Sequence, residues 1–451
     1  MNLQIYILAQ KETFSNVLSN FLDSLSDPKT LLATTIFALF VIFLPFIKNG
    51  PFILITLITF ILTFGYLGSR WHDNTLLMPL ELIRSNSRAI TVSFLISLCV
   101  SVIKPTKDNR NRFFSFALFL FYVFQNIYLF RLFLSGEYSR SILGFLTCAL
   151  VFVGLVWGLG RRIKSQESID FLAKSICLAS LFFISCNILQ LFFGYYQAVP
   201  AGRFMGISGN PQLCGFICSL FILFNCFCLS QTSLLNWKKY YYGIQIAILL
   251  LLIIWSGSRM SALSVGTGLI LFYRFKILQI FAVIIIVGFF LILALLVFPD
   301  SYEKISRFTS GLDTRSAVWD IKLQEFYSSP IFGSIGKVVV EQTNASESSY
   351  LSTAGLMGIS GLIPLAIALI AFIMTLYKCF INRFSGIFRS ETVDLVVAGV
   401  FMILVASIFE GFLLGILSFS VLFIFILFTI AACINDSGNI VSVDELYNSE
   451  L

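Results

Sequence analysis

Apolar runs of about twenty residues follow one another along most of the chain, each long enough to cross a bilayer core of about 30 Å as an α-helix. They lie near 30–47, 51–68, 89–103, 113–134, 142–160, 171–193, 212–230, 239–256, 260–273, 277–298, 350–377, 393–410 and 411–433. In lipid every backbone N–H and C=O needs a partner within the protein, so only helices and closed barrels span. These runs are far longer than barrel strands, and the expected fold is therefore all-α: a polytopic integral membrane protein of about 12–13 transmembrane helices. Thirteen becomes twelve if one of the short runs, such as 89–103 or 260–273, is re-entrant. Composition agrees, because 58% hydrophobic and 12% charged residues over 451 positions exceed the apolar share a soluble core needs.

The runs divide the chain into an amphipathic, polar N-terminal segment (1–29), a transmembrane region (30–298), one large polar loop (299–349), C-terminal transmembrane helices (350–433) and a polar tail (434–451), acidic enough to read as disordered. The N-terminal segment carries Lys11, Glu12 and Asp23 without a long apolar core, which does not fit a cleaved signal peptide. Lys and Arg in short loops mark the cytoplasmic side. Lys104, Lys107, Arg110 and Arg112 form one cluster, and Arg161, Arg162 and Lys164 a second. Lys238 with Lys239, Arg274 with Lys276, and Lys378 with Arg383 and Arg389 fall on the same side. This count places the 299–349 loop, the 194–211 loop and the Gly257-Ser258-Arg259 corner outside. It also places Arg70, Arg84 and Arg88 outside, so either the first spans are miscounted or those arginines have a task there.

Several function classes lose support. The net charge of +7 is spread over loops by the topological bias, which argues against a nucleic-acid partner. The ten cysteines, Cys214, Cys218, Cys226 and Cys228 among them, sit almost entirely in apolar spans, where Cys acts as a small hydrophobe. His72 is the one histidine, so zinc sites and Ser-His-Asp catalysis have little to build on. No Walker loop or Rossmann fingerprint is present, and no cofactor is expected.

Arginines and acids at the outer face remain. Arg203 stands in Ala201-Gly202-Arg203-Phe204-Met205-Gly206, ahead of Gly209-Asn210-Pro211, and Arg259 ends Trp255-Ser256-Gly257-Ser258-Arg259. Within the large loop Arg307 and Arg315 precede Trp319, and Ser329-Pro330-Ile331-Phe332-Gly333 follows a helix-like stretch. An arginine at a membrane boundary snorkels at little cost, the bland reading for Arg307. Arg259 sits among small polar residues where positive charge is disfavoured, and a central Arg costs on the order of 3 kcal/mol on insertion scales, so a partner is expected. Guanidinium forks grip phosphate oxygens in pairs, which makes an anionic lipid head group the natural one. Glu347 opens the return into the membrane at Ser348-Ser349-Tyr350-Leu351. It reads equally as a general base with a raised pKa at a partly dry boundary and as an acid that stabilises a helix N-terminus.

Taken in order, the Ser-Gly-Ser-Arg corner, Arg315 with Trp319 and Ser-Pro-Ile-Phe-Gly, and Ser-Tyr-Leu followed by Gly355-Leu356-Met357-Gly358-Ile359-Ser360-Gly361 resemble the O-antigen ligase and polymerase family over roughly 200–410. The resemblance implies a bacterial inner-membrane glycosyltransferase with its active site facing the periplasm or exterior. Its substrate would be a polyprenyl-pyrophosphate-linked glycan, with a chain-length regulator and a flippase as partners. Carried over, Arg259 and Arg315 become catalytic beside Glu347, and Arg203, Arg307, Trp319 and Tyr350 become substrate-binding. The ligases show His-Asn where Glu347 and Ser348 stand here, which moves the expectation from ligase to polymerase. Transfer of the glycan to a lipid or protein acceptor is the first alternative. A flippase or small-anion transporter is another, although no internal repeat supports it. A peptidoglycan-type polymerase stays open through Asp300, Asp313, Asp320 and Glu325.

Overall fold

The computed structural model describes residues 41–47, 49–65, 76–102, 115–199, 202–232, 237–276, 285, 288, 316–334, 348–384 and 388–448. Among these the regular structure is entirely helical: α1 (Gly50–Ile61), α2 (Met78–Val100), α3 (Phe116–Leu134), α4 (Tyr138–Phe152), α5 (Gln166–Phe193), α6 (Pro211–Ser230) and α7 (Lys238–Ser256). There follow α8 (Arg259–Tyr273), α9 (Ser316–Ser328), α10 (Ser349–Met357), α11 (Ile359–Ile381), α12 (Ser390–Phe409) and α13 (Phe419–Asn448). Eight stretches among the described residues are long and apolar enough to cross a membrane: Phe116–Leu134, Arg140–Arg162, Gln166–Phe193, Pro211–Ser230, Lys238–Ser256, Ile359–Ile381, Ser390–Phe409 and Phe419–Asp436. This is the helix content of an all-α, multi-pass membrane protein. The expected span at 277–298 falls outside the described residues except for 285 and 288, and that at 30–47 except for 41–47.

Helix starts follow local chemistry. Ser115, Ser165, Asn210, Ser258 and Ser348 each cap a helix by accepting an amide of its first turn. The centre of the bundle is α6 and α13, for which 83% of the apolar window is buried, against 33% for α3 and α11. The core is built from phenylalanine. Phe216 stacks on Phe412 at 4.2 Å, Phe372 on Phe428 at 4.1 Å, and Phe224 meets Phe423 edge-on at 5.5 Å. Helix–helix association in lipid depends on close packing, and small residues supply it. A Cβ on Gly215 would stand 2.4 Å from the Ser261 hydroxyl, and one on Gly268 would stand 2.1 Å from the Met402 sulfur. The Ser264 hydroxyl adds a bond to the Met402 carbonyl at 2.9 Å. Together these contacts fix α6, α8 and α12 as one block.

Four features differ from the sequence-based expectation. The run 350–377 is two helices, because Gly358 adopts φ 64°, ψ −154°, a conformation open only to glycine. The run 89–103 is the second half of a helix that begins at Met78, so Arg84 and Arg88 lie within α2 instead of in a loop. The run 142–160 passes from α4 into a π-helical segment at Val153–Leu159. Finally, α13 continues through Asn448 into the segment expected to be a disordered tail, since extending an existing helix adds one bond per residue without a new nucleus.

One end of the bundle collects the basic clusters that lie within the described residues. Arg274 and Arg383 both pair with Asp394, at 2.7 and 3.0 Å. Lys276 meets Glu391 at 2.7 Å, and Arg389 meets Asp170 at 2.6 Å. The ends of α8 and α11 are thereby joined to the starts of α12 and α5. The cluster at Lys104–Arg112 lies outside the described residues. At the opposite end, the loop end, stand residues 202–210, 256–259, 316–334, 348 and 410–418.

Candidate functional site at the loop end

Arg203 is held by the backbone of the neighbouring corner. Its Nε donates to the Ser256 carbonyl at 2.9 Å, and the next amide, Phe204 N–H, reaches the Trp255 carbonyl at 3.3 Å while the two rings stack at 5.4 Å. The loop folds this way because Gly206 and Gly257 accept positive φ, 53° and 60°. Gly206 has a second role, since a Cβ there would collide with Asn187, whose Oδ1 accepts the Ile207 amide at 3.0 Å. Gly257 also reverses the chain from α7 into α8, so that Arg259, exposed, becomes the first residue of α8. Beside it the Ser258 and Ser261 hydroxyls lie 2.8 Å apart, and Ser261 Oγ reaches the Gln212 carbonyl in the first turn of α6 at 3.5 Å. The structure therefore brings Arg203 and the Arg259 corner together, at the point where α6 and α8 both start. Helix N-termini carry partial positive charge, which adds to that of the guanidinium groups.

Two further arginines stand on α2. Arg84 is 2% exposed and forms an ion pair with Glu81, whose Oε2 also accepts the Leu76 amide at 3.0 Å. Arg88, one turn on, edges a small cavity with Ser87 and Ser418, lined otherwise by apolar groups such as Leu62, Phe64 and Leu213. Charge placed against the topological rule was the signal for these residues.

The return into the bundle at α10 is tied to the loop after α12. Ser349 N–H and Oγ both donate to the Glu410 carbonyl, at 3.1 and 2.9 Å, and Ser349 Oγ accepts the Leu413 amide at 2.9 Å. The Tyr350 hydroxyl donates to the Leu404 carbonyl at 3.2 Å. Trp319 is half-buried on α9, and its Nε1 is enclosed without a hydrogen-bond partner among the described residues. Glu347, Arg307 and Arg315 lie outside the described residues.

What the sequence did not expose is how α9 docks. Lys322 and Glu325, whose side chains are 5% and 10% exposed, pair at 3.0 Å against α10. Ser334 Oγ donates to Glu325 at 3.4 Å and to the Gly355 carbonyl at 3.1 Å. Pro330 and Ile331 offer their carbonyls to the Ile359 and Ser360 amides at 2.8 and 3.0 Å. Those amides open α11 and would otherwise be unpaired after the Gly358 break. The Ser-Pro-Ile-Phe-Gly and Gly-Leu-Met-Gly-Ile-Ser-Gly motifs thus form one joint.

Among the described residues no group of three or more His, Cys, Asp or Glu side chains is placed to hold a metal. All ten cysteines are free thiols, with Cys177 and Cys228 sulfurs 3.6 Å apart inside the bundle. No protein-family model matches the chain, and no curated protein matches it.

Proposed function

We propose that this protein is a membrane glycosyltransferase that polymerises lipid-linked oligosaccharide repeats into a surface polysaccharide at the outer face of a bacterial inner membrane. The observation that carries the reading is Arg203 fixed against the Gly257–Arg259 corner where two helices begin, a cationic site suited to a pyrophosphate. In this reading a sugar hydroxyl of one lipid-linked repeat attacks the anomeric carbon of a second glycan, the glycosidic C–O bond forms, and the bond to polyprenyl pyrophosphate breaks. Glu347 takes the hydroxyl proton, and Arg203, Arg259 and Arg315 balance the charge that grows on the departing pyrophosphate. Arg307, Trp319 and Tyr350 complete the substrate contacts.

The test is deletion of the gene in its native bacterium, followed by complementation with wild type, Arg203→Ala, Arg259→Ala or Glu347→Gln and separation of surface glycans by length. The expected outcome is single-repeat glycans in the deletion strain and long-chain synthesis reduced on the order of 100-fold in each variant at normal protein level. Lipid-linked repeats stranded on the cytoplasmic side would point to a flippase. Full activity in all three variants would remove the proposed site.

A further inference from the structure

The turn Pro330-Ile331-Phe332 is apolar and yet exposed, with Ile331 at 59% and Phe332 at 58%. Its backbone is held on every side. The Pro330 and Ile331 carbonyls accept the Ile359 and Ser360 amides, and the Phe332 carbonyl accepts from Arg131, whose guanidinium also lies 5.3 Å above the Phe332 ring. The side chains are therefore held outward by a fixed frame, and their surroundings follow from their neighbours. Ile359 begins an exposed apolar stripe on α11, with Ile363 and Ile367 at 55% and 46%. Arg131 lies in the last turn of α3, where Phe130 and Leu134 are 53% and 61% exposed. Both helices are among those apolar enough to span, so these flanks are the surface that lipid covers, and the turn continues it at the loop end.

We propose that Pro330, Ile331 and Phe332 insert into the lipid leaflet at the loop end, at the boundary between acyl chains and head groups, and anchor the large loop to the bilayer. Arg131 marks that boundary, since a guanidinium at an apolar edge sits at head-group level. Only the turn inserts. The exposed face of α9 carries Asp320, Gln324 and Ser328 together with Tyr327 and Ile321, and its polar residues keep it at head-group level, outside the acyl chains. The loop is thus fixed twice, to α10 by Lys322 and Glu325 and to the membrane by the turn, and α9 stays at the leaflet surface where any lipid-borne molecule would meet it. The inference holds whatever reaction or transport the protein performs.

The test uses the full chain in native membranes with the photoreactive p-benzoylphenylalanine at position 331, 332 or 324, irradiation, and mass spectrometry of the adducts. Phospholipid adducts at 331 and 332 but not at 324 are the expected result. Adducts at 331 or 332 to another part of this chain, such as residues 1–40 or 335–347, or to a second copy, would overturn it, as would yields there no higher than at 324. Positions 331 and 332 are read separately, so poor accumulation of one variant leaves the other decisive.

Discussion

At the scale of single residues, one glycine and one ion pair carry sharp expectations. Gly358 occupies a backbone conformation that costs other residues about 1–3 kcal/mol, and a Cβ there would stand 2.5 Å from the Pro330 carbonyl oxygen. Gly358→Ala is expected to destabilise by at least that amount and to loosen the 330–334 turn. Thermal unfolding of detergent-solubilised protein checks the first effect and limited proteolysis of the loop the second; a melting temperature equal to wild type would count against the joint. Lys322 and Glu325 form a nearly buried pair, so removing one partner strands a charge at a cost of about 3–5 kcal/mol, whereas removing both is milder. Lys322→Met and Glu325→Gln should each destabilise more than the double variant, whose cost then falls well below the sum of the two singles. A double-mutant cycle reads that coupling, and strict additivity would show that the pair does not hold α9.

At the scale of elements, the latch at the basic end decides how α8, α11 and α12 stay together. Asp394 is 4% exposed and faces Arg274 and Arg383 at once, while Glu391 engages Lys276 on the same helix end. Asp394→Ala leaves two guanidinium groups facing one another without their shared carboxylate. A loss of about 3–5 kcal/mol is expected, larger than for Lys276→Ala, whose side chain is 38% exposed and therefore screened by solvent. The ordering of the two melting temperatures tests it. The existence of α8, α11 and α12 was legible as apolar runs, and the basic residues at their ends were legible as a topological signal. The pairing was not, because Asp394 lies far along the chain from Arg274, and sequence spacing carries no information about helices that meet only after folding. The break at Gly358 was hidden for a related reason: the apolar run from 350 to 377 continues through it, and hydrophobicity does not register a change of backbone direction.

At the scale of the whole molecule, sidedness is the first thing to establish. Cysteines introduced singly at Lys164 or Lys238 should react with a membrane-impermeant maleimide only from the cytoplasmic side, and cysteines at Gln324 or Arg259 only from outside. Reaction of Gln324→Cys from the cytoplasm would invert the topology and remove the outer site. The arginine site belongs to this scale too. Arg203 and Arg259 come from two separate stretches of chain, and Arg84 and Arg88, together on α2, drew notice in the sequence only because they broke the charge rule.

Composition and the length of the apolar runs by themselves determined that the chain is a helical membrane protein, because lipid leaves the backbone almost no alternative. Charge in the loops determined which ends of the helices share a side, since the cost of moving Lys and Arg across a membrane acts on each loop separately. Tertiary structure alone decided that Arg203 meets the Arg259 corner, that Glu325 is spent on Lys322 as a fastening, and that the Pro330–Phe332 turn seals a broken helix. The first joins groups 53 residues apart and the third crosses a glycine turn, while Lys322 and Glu325 stand i and i+3 on one helix and become a fastening only because α10 buries them; such burial and contact are fixed by packing geometry rather than by local pattern.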